Sequence, residues 1–110
     1  MIHQRECPIE TLIHVLGGKW KPMILWHLIG SPKRYNELEK LIPEVSQKML
    51  SQHLRELEQE GIVDRTIYPT VPPKVEYSLS DYGRTLIPVA EVMCAWGDNH
   101  NKRKYEESAS

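Results

Sequence analysis

The chain has 110 residues, of which 40% are apolar and 26% charged, and its formal net charge is −1. This length suits a single domain with a modest core, and the near-neutral charge counts against a domain that binds nucleic acid through overall basicity. The longest strongly apolar stretch, residues 23–29, is far shorter than the ~20 residues that cross a bilayer, so no membrane segment is expected.

Cysteine usage and the N-terminus predict where the protein works. Two cysteines, Cys7 and Cys94, are too few for a disulfide framework. Residues 1–6 lack the apolar segment of a secretory signal. Both features predict a reducing, cytoplasmic setting.

The chain begins with two predicted helices. Residues 8–16 are predicted to form the first helix, because Cys7 stands at an N-cap position, Pro8 at the first helical position, and two glycines follow. Residues 19–29 are predicted to form the second helix. This second helix is apolar almost all round, so we expect it at the centre of the core.

A short third helix is predicted to lead into a fourth that has two distinct faces. Residues 35–42 are predicted to form the third helix, with an inward face made of Leu38, Leu41 and Ile42. Residues 46–60 are predicted to form the fourth helix, with Ser46 as N-cap and Gly61 as the C-terminal stop. Its apolar stripe is Leu50, Leu54 and Leu57. Its opposite stripe can form hydrogen bonds with bases or phosphates and consists of Gln47, Lys48, Ser51, Gln52 and Arg55.

Charge is distributed unevenly along the fourth helix. Residues 46–55 carry two cations and no acid, and residues 56–60 carry three acids and no cation. The helix macrodipole favours the opposite order by about 0.3–1 kcal/mol per charge. A local rule broken without evident structural gain often marks a functional surface. The pattern therefore predicts a helix whose positive, amide-rich front half enters a DNA major groove.

After Gly61 the apolar pattern changes to a period of two. Two alternating segments surround the proline-rich stretch 69–73, which predicts a β-hairpin over about residues 62–79. Prolines at its tip suit a projecting hairpin that resists edge pairing. A helix-turn-helix followed by a hairpin is the winged-helix arrangement, with residues 46–60 as recognition helix and the hairpin as wing.

A long final helix is predicted over residues 81–104, with a kink near Arg84 because Pro88 lies inside it. It carries two adjacent apolar stripes. One stripe can pack on its own domain, and the other is expected to meet the first helix and final helix of a second subunit. The predicted fold is thus α+β and mostly helical, a single winged helix-turn-helix domain over residues 1–110 with added N- and C-terminal dimerisation helices.

Seven short motifs, in order over about residues 6–100, resemble the HxlR family of small bacterial winged-helix regulators related to the MarR type. They are Cys7-Pro8, Gly18-Lys19-Trp20, residues 34–38, residues 46–50, residues 54–57, residues 61–63 and residues 72–79. The resemblance implies a homodimer that binds a pseudo-palindromic operator in double-stranded DNA. It supplies neither the regulated gene nor the signal.

Individual DNA contacts follow from the chemistry of the side chains. In the major groove, Gln suits adenine, and Arg or Lys suits guanine. Ser46, at the helix start, suits a phosphate. Arg34 and Lys74 flank the fourth helix from the turn and the wing and are expected to contact phosphates. For Arg65 a structural hydrogen bond and a DNA contact stay open.

Cys7 is the candidate redox- or electrophile-sensing residue. A thiol at a helix N-terminus has its thiolate favoured by about 0.3–1 kcal/mol, too little for high reactivity without a cation such as Arg5 or one from a partner subunit. The resemblance implies that some family members respond to oxidants through a cysteine here. The alternative is an N-capping, half-buried cysteine. Cys94 is expected to be an inert packing residue.

Enzymatic and metal-binding signatures are absent from the sequence. The histidines are dispersed, and no nucleophile elbow, paired-carboxylate motif or complete phosphate loop occurs. We therefore predict no enzyme, no metal and no cofactor. Two further interpretations stay open: a winged-helix protein–protein module using the acidic residues 56–60, and a regulator that senses a small ligand between its subunits.

Overall fold

The computed structural model describes residues 7–109. In chain order the elements are α1 (Pro8–Leu16), α2 (Trp20–Gly30), β1 (Lys33–Arg34), α3 (Tyr35–Leu41), α4 (Gln47–Gln59), β2 (Val63–Tyr68), β3 (Lys74–Leu79), a 3-10 turn (Gly83–Leu86) and α5 (Ile87–Ala109). The α+β, mostly helical prediction is confirmed. No helix in this range is both long and apolar enough to cross a membrane.

The hairpin is anchored beside the helix-turn-helix by a short strand that the sequence pattern did not reveal. The antiparallel sheet has the order β1-β3-β2, with Lys33 opposite Tyr77 and Val63 opposite Leu79. Strand β1 is two residues long, too short for any period. Because β1 runs directly into α3, it ties the start of that helix to the wing.

Helix α2 lies in the centre of the core, as predicted. It buries Ile24, Leu25 and Leu28, and the apolar stripe of α4 packs on the same cluster, with Leu50, Leu54 and Leu57 at most 1% exposed. In α3 the prediction for Leu41 is wrong, since this side chain is 43% exposed. A helix of two turns has room for only a narrow buried face, and Leu38 and Ile42, one turn apart, form that face and pack into the core.

The predicted ends of α4 are confirmed. The Ser46 Oγ accepts a hydrogen bond from the Met49 backbone N–H (3.1 Å), which satisfies one of the free donors of the first turn. At the other end Gly61 adopts φ 77°, a left-handed conformation that suits glycine and turns the chain into β2.

The predicted start and end of the final helix are wrong. A 3-10 turn precedes α5, and Pro88 lies in the first turn of α5, where its missing N–H costs no helical hydrogen bond. The kink near Arg84 stays a prediction, and α5 continues to Ala109 instead of ending near residue 104. Before the 3-10 turn, the Ser80 Oγ accepts from the Gly83 N–H (2.8 Å). Any Cβ at position 83 would lie 2.0 Å from the Ile62 carbonyl oxygen, so only glycine fits there.

Candidate nucleic-acid interface

One face of α4 is open to solvent along its whole front half. The five polar residues predicted to meet DNA are all exposed, on the side opposite the buried leucines: Gln47, Lys48, Ser51, Gln52 and Arg55. In the described part of the chain, Lys48 and Arg55 form no ion pair with any acid. Their charges are therefore available to an anionic partner.

The acidic back half of α4 is held against the body of the protein. Glu56 Oε1 lies 3.2 Å from Lys21 Nζ, and Glu58 Oε1 lies 3.7 Å from Arg65 Nε. Glu60 Oε1 lies 3.8 Å from a ring nitrogen of His14. The reversed charge order thus has a structural gain that the sequence did not reveal, because each acid faces a basic group from another element.

Glu56 is the centre of this anchoring. Its Oε1 also lies 3.2 Å from His53 Nδ1, on the same helix. The His53 ring, followed by the Lys21 ammonium and with a smaller contribution from Gln52, holds the pKa of the Glu56 carboxyl below its ordinary value. Glu56 is therefore ionised at neutral pH and links α4 to the core helix α2.

Tyr35 contacts the exposed face of α4, and the sequence did not indicate this contact. This half-buried side chain, at the start of α3, donates its hydroxyl proton to the Gln47 carbonyl oxygen (3.0 Å). The same hydroxyl lies 3.1 Å from Ser51 Oγ. The signal in the sequence was a tyrosine at the start of one helix of a helix-turn-helix, which is too common a feature to single out.

Arg34 and Lys74 lie on either side of one open cavity of about 600 Å³ between the start of α3 and the wing loop. The Arg34 backbone N–H donates to Glu37 (2.8 Å), while its side chain is exposed. Lys74 is engaged within the hairpin, since its Nζ lies 3.2 Å from Glu76 Oε2 and 5.2 Å from the centre of the Tyr68 ring. A phosphate at Lys74 would compete with Glu76.

Arg65 lies between the recognition helix and the wing. Besides facing Glu58, it lines an open cavity of about 650 Å³ together with Ser51, Arg55 and Tyr77. Burial raises the pKa of Tyr77, so its phenol stays protonated at neutral pH. Of the two interpretations for Arg65, the structural one has an observed partner.

The two cysteines are free thiols, and both are exposed. Cys7 occupies the N-cap position of α1, as predicted, but its side chain makes no capping hydrogen bond and is exposed instead of half-buried. Cys94 is an exposed residue instead of a packed one, and it lies at the rim of an apolar cavity between α2 and α5. Arg5, named as a helper of Cys7, lies outside the described residues.

Metal-ligating side chains do not converge anywhere in residues 7–109. No group of three or more histidine, cysteine or carboxylate side chains there could hold an ion. What the elements do bring together is one basic, amide-rich helix face, a short α3 leading into it, and a three-stranded wing beside it. These features define a winged helix-turn-helix protein.

The chain belongs to the HxlR-like helix-turn-helix family, whose model matches residues 15–105. This family consists of transcriptional regulators and not of enzymes. A relative from Bacillus subtilis (strain 168), described as the uncharacterized HTH-type transcriptional regulator YtcD, is 51% identical over 102 residues, covering 93% of this chain and 81% of its own.

Solved structures of the redox regulator HypR and of the transcriptional regulator YodB are similar to this chain. The reduced form of HypR superposes with a TM-score of 0.86 at 45% identity, covering 91% of this chain and 99% of its own. The oxidised form gives 0.82 at 49% identity, with 84% and 96% covered. The reduced form of YodB from B. subtilis gives 0.75 at 42% identity, with 86% and 93% covered. The recognition of the HxlR family and of a MarR-like winged helix is confirmed.

Proposed function

We infer that the protein is a sequence-specific DNA-binding regulator that acts as a homodimer on a pseudo-palindromic operator. One observation carries this proposal. Glu56 and Glu58 of α4 are paired with Lys21 and Arg65. Within residues 7–109, by contrast, Lys48 and Arg55 on its front half face solvent without an acidic partner. Such a helix presents donors and positive charge outward, which matches the acceptors and phosphates of a major groove. A regulator of chromosomal DNA would act in the cytoplasm.

Contacts to the DNA backbone would flank this helix. Ser46 keeps a hydroxyl proton after its oxygen accepts the Met49 N–H, so it can still donate to a phosphate at the helix start. Arg34 and Lys74 would hold phosphates from the two sides of their shared cavity. Gln47, Lys48, Ser51, Gln52 and Arg55 would meet base edges.

The alternative of a protein–protein module is less well supported. It required the acidic residues 56–60 to be available to a partner, yet all three glutamates face basic groups of this chain, at Lys21, Arg65 and His14. Releasing them would weaken the attachment of α4 to its own domain. The part of α4 that is free is the basic half.

Dimerisation is supported by apolar side chains left exposed on α1 and α5. Ile9 and Ile13 on α1 are 68% and 61% exposed, and Val92 and Trp96 on α5 are 69% and 67% exposed. The 23 residues of α5 extend about 34 Å, and the radius of gyration is 16.6 Å, against about 13 Å for a compact chain of this size. A second copy packing along these helices would bury this surface.

Redox control through Cys7 is the proposed signal. Cys7 is exposed at a helix N-terminus, and HypR is named as a redox regulator with solved oxidised and reduced forms. The expected result is that oxidant changes operator binding by the wild type but not by Cys7→Ser, with Cys94→Ser behaving as the wild type. An equal oxidant response of Cys7→Ser would exclude this role.

A small-ligand sensor remains the second candidate, since one apolar cavity favours it. This cavity of about 270 Å³ lies between α2 and α5 and is lined mainly by apolar side chains, among them Met23, Trp26 and Met93. An apolar ligand there would bridge the core helix and the proposed dimer helix. Thermal stabilisation of the wild type by an apolar compound, lost in Met23→Lys, would favour it.

The proposed function is tested by selecting binding sites from a random duplex pool with the purified, reduced chain at about 150 mM salt. We expect an enriched inverted repeat whose half-sites are about 10 base pairs apart, centre to centre. Binding that is weak, salt-sensitive and without enrichment would contradict the proposal.

A further inference from the structure

The hydroxyl of Tyr35 contacts two groups of the recognition helix, and the first contact determines which group donates in the second. The Gln47 carbonyl oxygen can only accept, so in the 3.0 Å contact the Tyr35 hydroxyl must donate. A tyrosine hydroxyl has one proton. In its 3.1 Å contact with Ser51 Oγ, Tyr35 is therefore the acceptor, and Ser51 is the donor.

This arrangement leaves Ser51 with lone pairs but no proton to offer. A free serine hydroxyl rotates and can donate or accept, so it discriminates poorly between bases. With its proton directed at Tyr35, the exposed Ser51 Oγ can only accept from a ligand on the α4 face. In the major groove, adenine N6 and cytosine N4 are donors, whereas guanine O6 and thymine O4 are acceptors.

We propose that Tyr35 is a specificity-determining positioning residue that makes Ser51 an obligate acceptor, so that Ser51 selects adenine or cytosine over guanine or thymine at one base of each half-site. This inference rests on the proposed function, because it assumes that Ser51 faces a base. Tyr35 itself touches no base. It acts through two hydrogen bonds. Its hydroxyl oxygen accepts the proton of Ser51, and its hydroxyl proton is donated to the Gln47 carbonyl oxygen in the first turn of α4.

Tyr35→Phe tests the proposal because it removes one oxygen atom and leaves the packed ring. Site selection with the wild type should show adenine or cytosine at one position of each half-site. Tyr35→Phe should lose about 3- to 10-fold of that preference and admit guanine or thymine there, with the other positions unchanged. Ser51→Ala should relax the same position, and the double variant should relax it no further.

The matched control is Tyr82→Phe, since Tyr82 is 65% exposed and lies beside α1 instead of α4. It should select the same operator as the wild type. A purely structural role for Tyr35 predicts a different outcome for Tyr35→Phe: uniformly weaker binding with every base preference kept. That result, or a wild-type preference for guanine or thymine at the Ser51 position, would overturn the proposal.

A second measurement needs no change at Tyr35 and so stands even if that variant fails to fold. The operator is synthesised with a base analogue that lacks the exocyclic amine at the selected position. The wild type should bind this duplex about 3- to 10-fold more weakly than the natural one, and Ser51→Ala should bind the two equally. Equal binding by the wild type would refute the inference while leaving the operator intact. A wild type that enriches no operator would overturn the proposed function and this inference together.

Discussion

Single side chains on α4 divide into two groups by what they face. The glutamates of the back half face basic groups of the same chain, as Glu56 faces Lys21, and the five polar residues of the exposed face point to solvent. Mutations in the two groups should therefore have different effects. Back-half changes should alter stability, and front-half changes should alter DNA binding.

Arg55→Ala is expected to lower affinity for the selected operator about 5- to 150-fold and to relax one operator position. Affinity for random DNA should change much less, because a base contact is lost and not a general phosphate contact. Fluorescence anisotropy titrations on both duplexes measure this. An equal loss on the two would show that Arg55 reads no base.

Lys74→Ala should weaken binding to operator and random DNA alike and lower the slope of log K against log salt by about 0.9. Because Lys74 is paired with Glu76, a variant of Glu76 tests the same phosphate contact from the opposite direction. Glu76→Gln frees the ammonium for a phosphate, so it should raise affinity for both duplexes by about 2- to 5-fold. Unchanged affinity in both variants would place Lys74 outside the interface.

At the scale of whole elements, burial within α3 separates two leucines that the sequence treats alike. Leu38 is fully buried, and Leu41 is 43% exposed. Leu38→Ala should lower the free energy of unfolding by about 2–5 kcal/mol, whereas Leu41→Ala should cost about 1 kcal/mol or less. Urea unfolding of the two variants measures both free energies. Equal losses of unfolding free energy would contradict the observed packing of α3.

The attachment of α4 to α2 should depend on pH through Glu56. A carboxyl whose pKa is lowered on folding adds stability above its unfolded-state pKa, and this stability is lost as the pH falls through the lower folded-state pKa. Glu56→Gln should therefore unfold more easily than the wild type at neutral pH, with the gap closing in acid. Glu44→Gln is the control, because Glu44 is exposed and forms no ion pair within residues 7–109. A gap independent of pH would argue against the ion pairs.

Elements with a strong apolar period were predictable from the sequence, and contacts between elements were not. The caps Ser46 and Gly61 and the buried stripe of α4 follow from local chemistry, and the structure confirms them. The contact of Glu56 with Lys21 and the hydroxyl bonds of Tyr35 join residues that are far apart in the chain, so no local pattern contains them. The final helix was predicted to start at residue 81, but the α-helix begins six residues later, at Ile87, so Pro88 lies in its first turn instead of its interior.

At the scale of the whole molecule, α5 and α1 present apolar surface that a monomer leaves in water. Trp96→Asp places a charge in the middle of this surface, so we expect it to turn a dimer into a monomer in sedimentation experiments. Operator affinity should then fall by about 100-fold or more, because the two half-sites are no longer bound together. Leu41→Asp, an exposed position outside α1 and α5, is the control. A Trp96→Asp protein that remains dimeric would show that the interface lies elsewhere.

The most direct test of a dimer that reads two half-sites is the affinity of the purified chain for its selected inverted repeat, compared with the same repeat lengthened by about five base pairs between the half-sites. A dimer with two recognition helices at a fixed spacing needs half-sites about one helical turn apart. Half a turn of extra spacing rotates one half-site to the opposite side of the duplex. We predict that the lengthened repeat binds only as tightly as a single half-site. Equal affinity for the two duplexes would contradict a dimer that reads successive major grooves.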